Sequence, residues 1–253
     1  MRSGIKTLLF GGFLIVLTAC QAEATPAPTP EPQTVGVTPM YLSWASASLS
    51  EFQDTHGEVF FSLDVYPGEA GLLALQEEQI SLLIGAIEPD ATNFTTPLFK
   101  DGIAVIHNPD LEIRDLSVEE LRRIFSGAEQ NWQAFGGEDL PIYPVIPLPG
   151  DDLRILFQQR VMKTFPFSSL ARLLASPEEI LSLIEEQPGA VGIVPISMLD
   201  DDTPTFRLEG QSASMRSIEN GRYPLMYWVT GVALEEPDRY LRDWIVSLQA
   251  QGS

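Results

Sequence analysis

Short strand patterns alternate with helical patterns along the chain, and this alternation limits the fold more than any other feature. Glu58–Tyr66 is rich in β-branched and aromatic residues, which is typical of a strand. The preceding Leu42–Phe52 carries apolar residues at a helical period. Further strand patterns occupy residues 80–87, 100–110, 140–148, 190–196 and 222–234. Because the connections are short, the sequence predicts an α/β fold built on a mainly parallel sheet with flanking helices.

The N-terminus carries an export signal. Arg2 and Lys6 precede an apolar run of about 13 residues, which is too short to span a bilayer as a stable helix. The run ends at Leu17–Cys20, which resembles the lipobox of bacterial lipoproteins and implies cleavage before Cys20 and a lipid on its sulfur. The alternative is an ordinary core cysteine. We predict a signal peptide over residues 1–20 and an extracytoplasmic, lipid-anchored protein.

Residues 21–35 contain prolines at positions 26, 28, 30 and 32, and this composition predicts an extended spacer before a folded part that begins near Gly36. No later apolar run is long enough for a membrane span, so we expect membrane contact through the lipid alone. The chain has 35 acidic against 15 basic residues, a formal net charge of −20. This excess argues against nucleic acid as a partner.

A compact block lies at Leu116–Gly137. Ser117 and Glu120 have the spacing of a capping box at a helix start, and Gly127 is placed to end that helix in the left-handed conformation. Trp132 follows in a predicted loop, where it is expected to anchor the loop to the domain. The segment 151–165 is predicted to form a further helix.

This block resembles the phosphate-binding proteins of phosphate ABC transporters. Three later segments agree with that family in order and spacing over Leu98–Val229, namely "IYPVIPLPGDDLRILF", "PGAVGIVP" and "ENGRYPLMYW". The resemblance implies a two-lobed periplasmic-binding-protein type II fold, each lobe a mainly parallel sheet flanked by helices. Lobe one would combine residues 36–97 with 201–253, and lobe two would be residues 98–200.

The resemblance also implies a function. The chain would be a monomeric solute-binding protein that closes its two lobes around phosphate or a similar small polar ligand. It would deliver that ligand to an ABC permease without covalent chemistry. The alternative is a lipoprotein that keeps the two-lobe scaffold for sensing or protein contacts and binds no phosphate.

The ligand-binding residues of the family transfer only in part. The family has an arginine followed by Ser-Gly-Thr at a helix start, where this chain has Leu148–Leu153, "LPGDDL". Its first-lobe glycine loop corresponds to Pro67–Gly71, its opening loop to Val37–Met40, and its proton-accepting carboxylate to Glu88. Tyr41 is added as an aromatic at a strand-to-helix transition. The candidate ligand-binding residues are Thr38, Tyr41, Gly68, Glu88, Gly150, Asp151, Asp152 and Arg154.

Asp151 and Asp152 leave two interpretations open. They are either helix caps that compensate the dipole, or parts of a site that is adapted to a cationic or neutral polar ligand or has lost its ligand. Two fixed carboxylates near a dianion cost on the order of 1 kcal/mol even at the dielectric constant of water. Arg154 could neutralise one of them. We expect Asp151→Asn to change ligand affinity without unfolding the domain.

Catalytic patterns are not found in the sequence. It has no nucleophile elbow, Walker loop or zinc-ligand spacing, and its two histidines, His56 and His107, are not predicted to act as bases. Asp200–Asp202 could hold calcium weakly, although a solvated loop is the simpler interpretation. We therefore predict a protein that is not an enzyme and needs no metal or cofactor.

Overall fold

A computed structural model describes residues 33–56, 61–88 and 93–251. They belong to one compact unit. The predicted signal peptide, Cys20 and nearly all of the proline-rich spacer lie outside the described residues. No helix within the described ranges combines the length and the apolar character needed to cross a membrane.

Strands and helices alternate as the sequence predicts. The strands are β1 (Gln33–Val37), β2 (Phe61–Val65), β3 (Leu82–Gly85), β4 (Phe94–His107), β5 (Asp115–Leu116), β6 (Tyr143–Pro147), β7 (Arg172–Leu174), β8 (Ala190–Pro195), β9 (Arg207–Leu208) and β10 (Met226–Ala233). The helices are α1 (Leu42–His56), α2 (Gly68–Gln76), α3 (Val118–Ser126), α4 (Asp152–Phe157), α5 (Pro177–Glu186), α6 (Met215–Glu219) and α7 (Arg239–Gln251).

Eight of these strands form one sheet in the order β2-β1-β3-β10-β4-β8-β6-β7. The long strand β4 joins its two parts, because residues 94–102 pair with β10 and residues 103–107 pair with β8. We call β2, β1, β3 and β10 the first sheet half, and β8, β6 and β7 the second. Within the first half, β1, β2 and β3 are parallel and β10 is antiparallel to β3. All three strands of the second half are parallel, and β8 is antiparallel to β4.

The chain passes between the sheet halves at two places. On β4 the pairing partner changes between Gly102 and Ile103, whereas the sequence analysis places the first lobe boundary at Leu98. The segment after β8 stays beside the second half, since the Tyr223 hydroxyl donates to the Ile103 carbonyl at 2.8 Å. The chain returns to the first half only at β10. The assignment of residues to lobes remains a prediction.

The compact block around α3 has the predicted local structure. Ser117 caps α3 in a capping box with Glu120, and Gly127 ends the helix at a φ of 74°. Trp132 is fully buried and donates its Nε1 hydrogen to the carbonyl of Gly189 at 2.9 Å. Both the capping box and the anchoring role of the tryptophan are confirmed.

The helix predicted over residues 151–165 is shorter than expected. The α-helical part, α4, ends at Phe157, and a π-helical turn continues over Gln158–Met162. Lys163 then takes a positive φ of 57°, a conformation that no helical residue has, so the helix stops there. The side-chain amide of Gln158 stabilises this end, because its Nε2 donates to the Lys163 carbonyl at 2.7 Å.

Candidate functional site

Two loops of the first sheet half meet at one edge. β1 and β3 are parallel neighbours, so the residues that follow them, Thr38 and Ala86, lie at the same edge of the sheet. The amide of Thr38 donates to the carbonyl of Ile84 at 2.9 Å and fixes the two loops together. α2 begins nearby at Gly68, in the connection that follows β2.

The second sheet half contributes the turn between β6 and α4. Gly150 has a φ of 88°, a conformation that favours glycine and allows the sharp turn after β6. Asp151 is the N-cap of α4, and its side chain accepts hydrogen bonds from the amides of Leu153 and Arg154. The capping interpretation of Asp151 therefore describes its local role.

The carboxylate of Asp152 is the centre of the site. One oxygen, Oδ2, accepts the hydroxyl of Thr38 at 2.8 Å and the amide of Ala86 at 2.6 Å. The other, Oδ1, accepts the amide of Leu153 at 3.0 Å. Burial raises the pKa of Asp152, whereas the hydrogen bonds from Ala86 and Thr38 lower it by favouring the charged form. The side chain of Asp152, which lies at the start of α4 beside the second sheet half, thus accepts hydrogen bonds from donors of the first half.

The neighbouring Asp151 is less well satisfied. Its Oδ1 caps α4, but its buried Oδ2 has no hydrogen-bond partner among the described residues. Burial and then the charge of Asp152 raise the pKa of Asp151 well above its ordinary value. Both effects favour the protonated form of Asp151 over its charged form.

The backbone around Asp152 is closely packed. A Cβ atom at Gly85 would lie 2.9 Å from Oδ2 of Asp152 and 2.7 Å from Oγ1 of Thr38. A Cβ at Gly68 would lie 3.6 Å from the Cβ of Asp152, and one at Gly150 would lie 3.4 Å from the Cβ of Pro67. Only glycine at position 85 leaves room for the carboxylate to reach the first half.

A second buried polar network lies where β4 passes between the halves. Asp101 accepts the Ser197 hydroxyl at 2.6 Å and the Tyr41 hydroxyl at 3.1 Å. Tyr41 and Tyr227 also share a 2.6 Å hydrogen bond between their hydroxyl groups. Burial and the charge of Asp101 raise the pKa of both tyrosines. Tyr41, predicted to line the cleft, is instead fully buried in this network.

Asp152 lines one open cavity, and a second open cavity shares Ala86, Ile87, Glu88 and Leu156 with the wall of the first. A cavity of about 140 Å³ is lined by Gly68, Glu69, Leu72, Ala86, Ile87, Glu88, Asp152, Ile155, Leu156 and Gln159. The other, about 400 Å³, is lined by Ala86, Ile87, Glu88, Leu156, Arg160, Met226, Tyr227, Trp228 and Thr230. Glu88, whose side chain is 72% exposed, approaches Arg160 to 3.8 Å.

Arg154 does not neutralise the aspartates by direct contact. Its Nη1 donates to the Pro147 carbonyl at 2.9 Å, and its guanidinium lies 4.8 Å from the ring centre of Phe167. Burial lowers the pKa of Arg154, while the charge of Asp151 opposes that shift. None of the ion pairs within residues 33–56, 61–88 and 93–251 joins Arg154 to Asp151 or Asp152.

The structure brings Thr38, Gly68, Gly150, Asp151 and Asp152 together, with Glu88 at the wall of both cavities. Four further residues near the cleft were not predicted as site residues: Ala86, Asp101, Arg160 and Ser197. Ala86 acts through its backbone amide, and Arg160 lies in the π-helical turn, so no pattern in the sequence marks either residue as part of the site. Within the described residues no three His, Cys, Asp or Glu side chains form a metal-binding group, and this includes Asp200–Asp202.

Comparison with known proteins decides the family. The model of the PBP superfamily domain matches residues 22–246. The chain belongs to the PBP superfamily. The phosphate-binding protein PstS of Bacillus subtilis is 29% identical over 126 residues, which is 49% of this chain and 41% of that protein. The chain thus aligns with less than half the length of this curated relative.

Solved structures of the superfamily have the same fold. A phosphate ABC transporter substrate-binding protein of Clostridium perfringens with bound phosphate matches with a TM-score of 0.80 and 20% identity, over 87% of this chain and 94% of that one. An ABC-type phosphate transport receptor of Vibrio cholerae matches with a TM-score of 0.73 and 19% identity, over 86% and 93%. The predicted PstS-like character and the two-lobed α/β fold are confirmed.

Proposed function

We propose that this protein is an extracytoplasmic solute-binding protein that binds phosphate or a similar oxyanion between its sheet halves for delivery to an ABC permease. The relatives named above are phosphate-binding and phosphate-transport proteins, which supports a role in binding rather than catalysis. We further propose that the chain passes between its lobes at Gly102–Ile103 and Leu225–Met226, where its contacts move from one sheet half to the other.

One observation carries the proposal. The Thr38 hydroxyl and the amides of Ala86 and Leu153 point at a single anionic group in the cleft. Convergent neutral donors from separate elements are what an oxyanion needs, because they stabilise its charge without a covalent bond. In this chain the anionic group is the carboxylate of Asp152.

Lipid anchoring at Cys20 belongs to the same proposal, and its support is the lipobox sequence Leu17–Cys20 after a short apolar run. Incorporation of a radiolabelled fatty acid into the expressed chain, and its loss in Cys20→Ser, would test it. Label that persists in the variant would contradict it. We propose that the protein acts as a monomer whose only membrane contact is the lipid.

The binding proposal is tested by equilibrium dialysis of the full chain, in detergent micelles, against radiolabelled phosphate at neutral pH and low salt. We expect saturable binding that unlabelled phosphate displaces and that potassium chloride at the same ionic strength does not. The proposal would be contradicted if neither the wild type nor folded variants of the cleft residue Asp152 bound phosphate.

A second candidate function has one observation in its favour. Because Asp152 already fills the donor site, the chain could keep its two-lobe scaffold for sensing or protein contacts and bind no phosphate. Cross-linking in cells distinguishes the two. Capture of permease subunits favours transport, and capture of other envelope proteins without any permease favours the second candidate.

A further inference from the structure

The carboxylate of Asp152 accepts the kind of hydrogen bonds that a bound anion would accept in the cleft. This carboxylate extends from the start of α4, beside the second sheet half, and accepts hydrogen bonds from Thr38 and Ala86 of the first half. The side chain is 3% exposed, so these bonds form away from bulk water. A carboxylate and a phosphate both present anionic oxygens, and the same donors can serve either.

The cavity beside this carboxylate has few groups that would bind a free oxyanion. The walls of the adjoining 140 Å³ cavity include the apolar side chains of Leu72, Ile87 and Ile155. Its other charged groups, Glu69 and Glu88, carry negative charge and would repel an anion. The Thr38 hydroxyl and the Ala86 amide at this edge of the cleft are already bonded to Asp152, and Gln159 is the remaining neutral polar side chain in the cavity wall.

The packing also leaves no room for a second anion at these donors. Oδ2 of Asp152 is within hydrogen-bonding distance of both Thr38 and Ala86, and a Cβ at Gly85 would come within 2.9 Å of the same oxygen. A phosphate that used the hydroxyl of Thr38 and the amide of Ala86 would have to displace the side chain of Asp152.

The sheet halves are joined by the chain's own groups elsewhere along the cleft. The Ser43 hydroxyl at the start of α1 donates to Glu178 of α5 at 2.7 Å. Arg160, in the turn after α4, donates to the carbonyl of Met226 at the start of β10. The two halves therefore meet through protein groups, with Asp152 at the most buried contact.

We propose that Asp152 is an internal ligand, whose carboxylate occupies the oxyanion position of the cleft, holds the sheet halves together without a solute, and sets the affinity for free oxyanions. The inference rests on the proposed function for the identity of the cleft. A group tethered to its own site competes at an effective concentration on the order of mM, so a free oxyanion must overcome that competition. Asp152 is then the residue that determines which solutes the cleft accepts.

The inference is tested by hydrogen exchange and phosphate binding on the full chain in detergent micelles. Asp152→Ser removes the carboxylate and leaves a small hydroxyl, whereas Asp152→Asn keeps the size and removes the charge. Asp110→Ser makes the same substitution at an exposed position and serves as the matched control. Mass spectrometry follows the amide of Ala86, which lies 66 residues from Asp152 in sequence.

In Asp152→Ser we expect the amide of Ala86 to exchange at least about tenfold faster than in the wild type, and added phosphate to restore its protection. Phosphate affinity should rise at least about tenfold. Asp152→Asn should change both measurements less than Asp152→Ser does, because the position remains filled although its hydrogen bonds lose their charge. Unchanged exchange over β8 shows that each variant is folded.

Two results would overturn the inference. One is unchanged exchange of the Ala86 amide in a folded Asp152→Ser variant. The other is a gain in phosphate affinity as large in Asp152→Asn as in Asp152→Ser, which would mean that charge rather than occupancy excludes the anion. Faster exchange without phosphate binding would support the internal ligand and count against the proposed function, so the two failures are distinguishable.

Discussion

The hydroxyl of Thr38 donates a 2.8 Å hydrogen bond to the carboxylate of Asp152, which lies 114 residues away in the sequence, at the start of the helix that follows β6 of the second sheet half. The pair is buried, so the bond is shielded from solvent and joins the two halves directly. A hydrogen bond to a buried charged group stabilises a protein by about 1.5–3 kcal/mol.

Thr38→Val keeps the shape of the side chain and removes this donor. We expect a loss of about 1.5–3 kcal/mol in the free energy of unfolding, measured by urea denaturation. Thr34→Val, on the preceding strand β1, removes an exposed hydroxyl that pairs with Ser62, and it should cost about 0.5 kcal/mol or less. In an Asp152→Ser background the cost of Thr38→Val should largely disappear, and an equal cost in both backgrounds would contradict the assigned pairing.

The buried pair of Tyr41 and Tyr227 is expected to contribute to stability rather than to ligand contact. Tyr227→Phe removes the 2.6 Å hydrogen bond to Tyr41, which keeps its bond to Asp101. The free energy of unfolding should fall by about 1 kcal/mol, with phosphate affinity changed less than about twofold. Tyr143→Phe, at an exposed position, is the control for stability. A large loss of affinity at unchanged stability would place Tyr227 in the binding site instead.

Ser197 connects the second half to the point where β4 crosses. Ser197→Ala removes its hydroxyl from Asp101, while its backbone amide still donates to the same carboxylate at 3.1 Å. We expect the free energy of unfolding to fall by about 1.5–3 kcal/mol, since the acceptor is a buried carboxylate. Ser81→Ala, in an exposed turn, should change it by about 0.5 kcal/mol or less. If Ser197→Ala and Ser81→Ala lowered the free energy of unfolding equally, the hydrogen bond from the Ser197 hydroxyl to Asp101 would be weak.

The pH dependence of stability follows from the raised pKa of Asp151, caused first by burial and then by the charge of Asp152. The folded state binds more protons than the unfolded state between the ordinary pKa of 3.8 and the raised value. This contribution to stability is complete below 3.8 and is lost as the pH rises through the raised pKa. This contribution should therefore raise the melting temperature on acidification from neutral pH, whereas the buried His107, whose pKa burial lowers, contributes in the opposite direction.

Asp151→Asn isolates this effect, because asparagine caps a helix as well as aspartate and carries no charge. The variant should be more stable than the wild type at neutral pH and should gain less on acidification. His107 and the carboxylates away from this pair titrate in both proteins and cancel in the comparison, whereas Asp152 loses the charge of its neighbour, so the difference reports on the Asp151–Asp152 pair. Parallel melting curves for the two proteins across this pH range would contradict the assignment to Asp151.

Local features of the fold could be predicted from the sequence because their causes are local. Ser117 and Glu120 are three residues apart, Gly127 ends the same helix, and all three behave as their spacing predicts. The cap at Asp151 belongs to the same class, since it bonds amides two and three residues ahead. The agreement with relatives in segment order also indicated the two-lobed fold.

The centre of the site could not be predicted, because its contacts join distant residues. The sequence identifies both Thr38 and Asp152 as candidate site residues but contains no sign that their side chains bond each other across the cleft. Nor could it predict that Lys100 and Asp101 lie within one strand of 14 residues, since a charged pair in an apolar run is typical of a strand end. Burial of Asp101 depends on Tyr41 and Ser197, which come from other parts of the chain.

The most direct test of the central claim is a crystal structure of Asp152→Ser with bound phosphate. We expect one phosphate in the cleft, with an oxygen at the position that Oδ2 of Asp152 occupies, accepting the hydroxyl of Thr38 and the amide of Ala86. Phosphate bound only elsewhere in the cleft, for example beside Arg160, would contradict the claim that these donors form the oxyanion position.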